Sequence, residues 1–271
     1  MAHLDQALEI LNRDRAHEAR VRNANIINFI DDYPIHSVSI AGESVMIKGR
    51  SDRDWIYISS ANDDEFRTLT AELAGEDTCF AIIEDWMLPH LTDNRRELWR
   101  LSCLRLYLPD SAVIPAGAAD AATIANAGAT AEANAAAGAD NDSPLLVKLT
   151  PNDAAFIFAN YDYAAYTTEA FIAERIKKGP SFGMRADGQL VAWIMTQDDG
   201  AMGLLTVLPP YRRHGYGNRI TSALITQLRA SGKLPFVHIE EQNHKSMSLA
   251  LKAGFIPDRR IHWFELATES F

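Results

Sequence analysis

Over the first 112 positions, apolar residues recur at helical spacing and then at the two-residue period of strands. Leu4, Leu8 and Leu11 share one helical face, and Ile26, Ile27, Phe29 and Ile30 form a second apolar cluster that stops at Pro34. Ser37 to Ile47 reads as a pair of strands turning at Ala41-Gly42, and Asp54 to Ser60 alternates as a half-buried strand does. Phe66 to Leu73 has helical spacing, Phe80 to Ile83 is a short buried strand, and Leu101 to Leu108 alternates again before Pro109. From 145 onward the predicted order is strand (Leu145 to Leu149), helices (Ala154 to Ala159, Glu169 to Lys177), then three strands, Ser181 to Ala186, Gln189 to Gln197 and Met202 to Leu208. Asp187-Gly188 and Asp198-Asp199-Gly200 separate those three strands and predict successive hairpins. A helix over Asn218 to Ala230, a strand over Phe236 to Glu240, a helix over His244 to Ala253 closed by Gly254, and a strand over Arg260 to Leu266 complete the pattern.

Between the two patterned stretches, Ala116 to Asn141 is about half alanine, with glycines at 117, 128 and 138 and almost no large apolar residue. Such a segment has no face to dock and reads as a linker bracketed by Pro115 and Pro144. The chain therefore divides into an α+β unit at 1–112, a linker at 113–144 and a second α+β unit at 145–271.

Charge sharpens that division. Of the formal charge of −10, residues 1–144 carry 12 Lys and Arg against 24 Asp and Glu, while residues 145–271 carry 14 against 12. An acidic chain with no concentrated basic face does not predict a nucleic-acid partner. No apolar run reaches the roughly 18 residues of a membrane span, and Met1 to Arg15 lacks the layout of a secretory signal. A cytoplasmic protein without a membrane partner is the expectation. Cys79 and Cys103 are too few for a disulfide framework and read as buried thiols. Glu84-Asp85 beside Trp86 reads as a solvated rim, because no His or further carboxylate stands at ligand spacing; no metal site is expected.

The chemistry concentrates in Val207 to Gly217, where a strand leads through a basic, glycine-bearing turn into a helix. The first NH groups of a helix lack internal partners, the helix dipole favours negative charge there, and glycine lets a ligand approach the backbone. A phosphate-bearing ligand is the natural occupant. The turn has no Gly-Lys-Ser/Thr and no third glycine followed by a distant acid, so neither a P-loop nor a dinucleotide fingerprint is present. Arg212, Gly215 and Gly217, with Val207 and Pro209 upstream, instead resemble the Arg/Gln-x-x-Gly-x-Gly/Ala signature of the GNAT superfamily of acyl-CoA N-acyltransferases. Asn243 to Leu249, closing at Gly254-Phe255, is similar to the later Asn…Gly-Phe block of that superfamily. Residues 149–266, with Trp193 and the Gly254 to Pro257 run, look like the catalytic half of glycine N-acyltransferase-like proteins, in which a degenerate copy of the fold comes first.

The resemblance implies a mixed, mostly antiparallel sheet flanked by helices, preceded by a smaller degenerate α+β domain. It implies a strand that splays from its neighbour to pair with the pantetheine arm, here through Leu205, Thr206 and Val207. The pyrophosphate would lie on the NH groups of Arg213, His214, Gly215, Tyr216, Gly217 and Asn218 with the Arg212 side chain nearby, and Asn243 and Ser246 would line the later part of the site. The co-substrate is then acetyl-CoA or another acyl-CoA, and the acceptor a small-molecule or peptide amine; a non-catalytic acyl-CoA sensor or partner-binding module is the rival expectation. Oligomeric state stays open.

Two positions depart from the superfamily's habits. The tyrosine that often protonates the leaving thiolate is replaced by Ala250, and the glutamate base used by several members by Ala201. A thiol of pKa about 8.5 needs little help to leave, whereas an amine of pKa about 10 has to shed a proton. His238 and Glu240 share parity on one strand and are the candidate bases, with Asp199, beside Ala201, a third.

Overall fold

The computed structural model describes residues 2–13, 17–93, 95–114 and 144–268. The alanine-rich stretch lies outside these residues. One 11-stranded sheet runs through the molecule. Its first part comprises β1 (Ile35–Ala41), β2 (Ser44–Arg50), β3 (Asp54–Ser59), β4 (Cys79–Glu84) and β5 (Glu97–Tyr107). The second comprises β6 (Leu145–Lys148), β7 (Ser181–Ala186), β8 (Gln189–Thr196), β9 (Met202–Val207), β10 (Phe236–Ile239) and β11 (Ile256–Leu266). Among the described residues only β3 with β4 and β9 with β10 pair in parallel.

The strand order is β1-β2-β3-β4-β11-β5-β10-β9-β8-β7-β6, so strands from the two parts interleave at the centre. The last strand, β11, lies between β4 and β5, and pairs with β5 from Ile256↔Tyr107 to Leu266↔Glu97. In turn β5 reaches across to β10, with Phe236↔Tyr107 through Ile239↔Leu104 in antiparallel register. Alternation along β5 buries Cys103 and Arg105 and leaves Ser102 exposed.

Helices cover both faces. α1 (Ala2–Arg13) and α2 (His17–Asp32) pack Leu11, Ile26 and Phe29 onto Val45, Ile47 and Tyr57. On the opposite face α3 (Asp63–Thr70) and α4 (Leu88–Thr92) bring Phe66, Leu69 and Leu91 against Met46, Phe80 and Phe264. In the second part, α5 (Ala154–Ala159) and α6 (Glu169–Lys178) bury Ile157 and Ile172 against Trp193 and Met195. α7 (Tyr216–Ala230) and α8 (His244–Lys252) bury Ile220, Leu224 and Ala250 with Val191 and Ile194. Among the described residues no helix is long and apolar enough to cross a membrane. Both cysteines are free and buried.

Several boundaries differ from the sequence reading, each for a local reason. α7 starts at Tyr216, two residues early, because Gly215 at φ +82° supplies a left-handed turn directly into helical geometry. α3 starts at Asp63 since the Asn62 side chain caps it, accepting from Glu65 N at 2.8 Å. β11 begins at Ile256, where Pro257 has no donor to offer and the pairing with β5 shifts register before Arg260. Glu84 is not a solvated rim residue: it lies 3.1 Å from Arg22 Nη2 and 2.8 Å from Arg259 Nη1.

Candidate active site

β9 and β10 touch at one point only, Val237↔Met202, and diverge from there. The cause is local. Leu204 and Leu205 stand opposite the single residue Ile194 on β8, and Leu204 adopts φ +53°, which makes a β-bulge that turns the strand aside. Pro209-Pro210 then closes a short 3-10 turn and denies β9 any continuation. Beyond Met202, the β9 edge facing β10 is left without a strand partner.

Into this split opens a cavity of about 440 Å³, lined on one side by Met202 to Leu205 and on the other by Val237 to Glu240. Asn243, Ser246, Leu249 and Ala250 of α8 and its cap close one wall. Trp55, Trp99, Leu101 and Cys103 from the first part of the chain close another. The remaining wall is the loop carrying Tyr161, Tyr163 and Tyr166. Thus both parts of the chain build one site.

Past the end of β9, the turn into α7 alternates handedness, with Arg213 at φ +68° and Gly215 at φ +82°. Such alternation gathers successive NH groups toward one side, which is how backbone forms anion-binding hollows. The first α7 hydrogen bond runs from Arg219 N to Gly215 O at 3.0 Å. The NH groups of Tyr216, Gly217 and Asn218 consequently have no acceptor among the described residues. A Cβ on Gly215 would meet nothing within 4 Å, and one on Gly217 would sit 3.6 Å from Val207 Cγ2 and 3.9 Å from Leu249 Cδ2. Tyr216 stacks on His214 with centroids 5.7 Å apart, steadying the turn. Arg212 Nε donates to Val207 O at 2.9 Å, bracing the turn against β9.

Leu205, Asn243 and Ser246 line the cavity, while Thr206 and Val207 pair with Trp193 and Ala192 at its rim. Asn243 has a double role. Its Oδ1 caps α8 by accepting from Ser246 N at 3.1 Å, and its Nδ2 donates to Tyr163 Oη at 3.2 Å. Glu240 lines the cavity near Tyr163, whose hydroxyl is pushed above its ordinary pKa by burial and by the nearby Glu240 carboxylate.

His238 lines the same cavity, but its ring nitrogens lie near the interior pair Asn25 and Asp199. Nε2 is 3.2 Å from Asn25 Nδ2 and Nδ1 is 3.7 Å from Asp199 Oδ2. Its side chain is 3% exposed, and burial holds the imidazole at a pKa of about 4, neutral at pH 7. Asp199 is engaged elsewhere, accepting from Asn25 Nδ2 at 2.7 Å and Ala201 N at 3.0 Å. Its neighbour Asp198 lines the cavity, and burial, helped by the Asp199 charge, pushes its carboxyl up to about 7. Ala250 lines the cavity and Ala201 is fully buried, so neither supplies an acid or base.

Sequence reasoning missed Tyr163, Asp198, Trp55 and Trp99. The density of tyrosines in 161–166 was a usable signal, since loops seldom concentrate three large aromatic rings without packing them on something.

Comparison with known proteins agrees with this architecture. Residues 181–264 match the family model of FR47-like protein, which spans the hairpins, the turn, α7, α8 and most of β11. No curated protein matches the chain in sequence. Among solved structures, a Drosophila protein superposes with a TM-score of 0.72 at 14% identity, over 99% of this chain and 97% of that one. A GCN5-related N-acetyltransferase-like protein from Streptococcus suis gives 0.53 at 9% identity, over 98% and 99%. A tandem GNAT protein from the clavulanic acid biosynthesis pathway gives 0.52 at 14% identity, over 92% and 89%. The fold is GNAT-like, a large mostly antiparallel sheet flanked by helices.

Proposed function

We propose that the chain is an acyl-CoA-dependent N-acyltransferase that moves an acyl group, acetyl first among them, to a primary amine by direct attack in a ternary complex. The observation that carries this reading is the single-point contact of β9 with β10 above a 440 Å³ cavity. A free strand edge offers hydrogen bonds to the amide-bearing arm of CoA, and the unpaired NH groups of Tyr216 to Asn218 suit its pyrophosphate. Arg213, His214 and Gly215 complete that turn, and Leu205 to Val207, Asn243 and Ser246 would border the arm. The closer kinship to glycine N-acyltransferase-like proteins, suggested by residues 149–266, is part of this proposal.

In the reaction the amine nitrogen bonds to the thioester carbonyl carbon, the C–S bond breaks, and the ammonium proton leaves through a base. Glu240 takes that role because it lies on the cavity wall that also carries Tyr163. Tyr163, kept protonated by burial, is a donor to the departing thiolate. His238 is the second candidate base, neutral at pH 7 but turned toward Asp199. Orientation supplies more of the rate than either proton transfer, about 7–11 kcal/mol for well-placed reactants.

Titration of the protein with acetyl-CoA by calorimetry tests the proposal. Saturable binding weakened at least tenfold by Arg213→Glu is expected, and no binding removes the enzymatic reading. The alanines at 201 and 250 favour a second reading, a non-catalytic acyl-CoA-binding module. Release of free CoA with any amine discards it.

A further inference from the structure

The acceptor end of the cavity has a composition of its own. Its wall from the first part of the chain brings Trp55 and Trp99 edge to face, with centroids 6.3 Å apart. Trp99 continues to Tyr166 at 6.2 Å, and Tyr166 to Tyr163 at 6.5 Å, so rings line this side without a break. Aromatic faces carry negative electrostatic potential and attract cations.

Two carboxylates stand at the same end. Ser51 Oγ lies 2.6 Å from Asp198 Oδ2 and 3.1 Å from Asp52 Oδ1. One hydroxyl has one proton, so it serves only one of them at a time. Trp55 Nε1 also donates to Asp52 Oδ1, at 2.9 Å. Yet no Lys, Arg or His nitrogen lies at ion-pair distance from either carboxylate among the described residues. Arg53, among the described residues the one arginine or lysine on the cavity wall, is taken: it pairs with Glu265 Oε2 at 2.5 Å and sits 5.4 Å from the Trp99 centroid.

A third carboxylate, Glu240, lies farther along. Met202 is opposite Val237, the Asp198 turn precedes Met202, and Glu240 is three residues beyond Val237, about 10 Å at the rise of a strand. The cavity therefore has a pair of unbalanced carboxylates at one end, a single carboxylate at the other, and aromatic and aliphatic walls between.

We propose that this end of the cavity binds a free aliphatic diamine or polyamine as acyl acceptor, with its distal ammonium held between Asp52 and Asp198 against Trp55 and Trp99. The nearer amine is then presented at the β9–β10 split beside Glu240. An aliphatic diamine suits the aromatic and aliphatic lining, and its two charges match the two acidic ends. A glycine-like acceptor, which needs a free cation for its carboxylate, finds Arg53 already engaged. The proposal rests on the acyl-transfer reading, because it takes this end as the acceptor's, but binding of the amine is measurable without that reaction.

The test is calorimetric titration of the full chain with 1,5-diaminopentane, n-pentylamine and glycine, each with and without acetyl-CoA. Binding of the diamine at least tenfold tighter than pentylamine, with glycine weaker than both, supports the site. Asp52→Asn and Asp198→Asn should each weaken the diamine at least fivefold while leaving pentylamine within twofold. Thermal melts confirm that the variants are folded, and Asp52, being exposed, gives the variant that does not perturb the interior. Equal affinity for diamine and monoamine, preference for glycine, or indifference to both substitutions overturns the proposal. Acetyl-CoA bound but no diamine bound overturns it while acyl transfer stands. Diamine bound but no acetyl-CoA bound supports the cation site and refutes acyl transfer.

Discussion

Arg175, on α6, joins the two parts of the chain through its side chain, and its removal has a calculable cost. The guanidinium is 1% exposed. Nε and Nη2 donate to Thr196 O and Oγ1, each at 3.2 Å, and Nη1 donates to Tyr33 Oη at 3.0 Å. Asp32 Oδ2 lies at 3.4 and 3.5 Å from Nη1 and Nη2. Arg175→Met keeps the length and the apolar stem but deletes every donor. Three hydrogen bonds at about 1 kcal/mol each give about 3 kcal/mol. The long contacts to Asp32 add little, because its side chain is 23% exposed and rehydrates, and the relieved desolvation of the cation offsets part of the loss. The net expectation is about 2–4 kcal/mol, or roughly 4–16 °C in melting temperature at about 2–4 °C per kcal/mol. Urea unfolding followed by circular dichroism measures it, with the slope checked for constancy; Arg175→Lys, which keeps the charge but not the fork, should fall between. A loss under about 1 kcal/mol would refute the reasoning.

Other expectations can be checked separately. Arg105 is equally buried, but among the described residues its Nε and Nη2 have no hydrogen-bond partner; Nη1 donates to Arg22 O at 3.1 Å and lies 3.7 Å from Asp258 Oδ2, so Arg105→Met should cost less than Arg175→Met in the same assay. Burial lowers the His238 pKa from 6.5 to about 4, so the folded state favours neutral imidazole. That contribution is complete above pH 6.5 and lost as pH falls through about 4, by roughly 3 kcal/mol at most. Urea midpoints between pH 4 and 7 should show a shallower decline in His238→Gln. Asp198 has the opposite sign: its raised pKa favours the protonated form, so its contribution is present below pH 4 and disappears as pH rises through about 7. Asp198→Asn should accordingly gain stability relative to the parent between pH 5 and 8. Burial also pushes both thiols up, Cys103 to about 12, so a thiol reagent should label two cysteines in urea and do so at least 100-fold more slowly in the native protein.

Much of the second part of the chain was legible from sequence because its signals are local. Asp187-Gly188 and Gly200 sit at φ values of +48°, +76° and +83°, the turn geometry that Asp and Gly announce. Gly215, at φ +82°, marked the helix entry for the same reason. The bulge was hidden, since Leu204 is an ordinary strand residue by type and its left-handed φ comes from the mismatch of β9 with β8. The interleaving was hidden too: the alternation of β5 states which side chains turn inward but not that Leu104 pairs with both Ile239 and Arg260. For the site this mattered most. Trp55 read as a half-buried strand residue and Trp99 fell outside the predicted strands, and only the sheet order carries them to a cavity whose other wall is Met202 to Leu205 and Val237 to Glu240.

The central position of β11 also constrains how the polypeptide matures. During synthesis β5 emerges from the ribosome with neither of its eventual neighbours yet made, and β4 waits with one flank unpaired until residues 256–266 appear. Nascent chains stalled before that point would present two open strand edges, the kind of surface that recruits chaperones or other copies of itself.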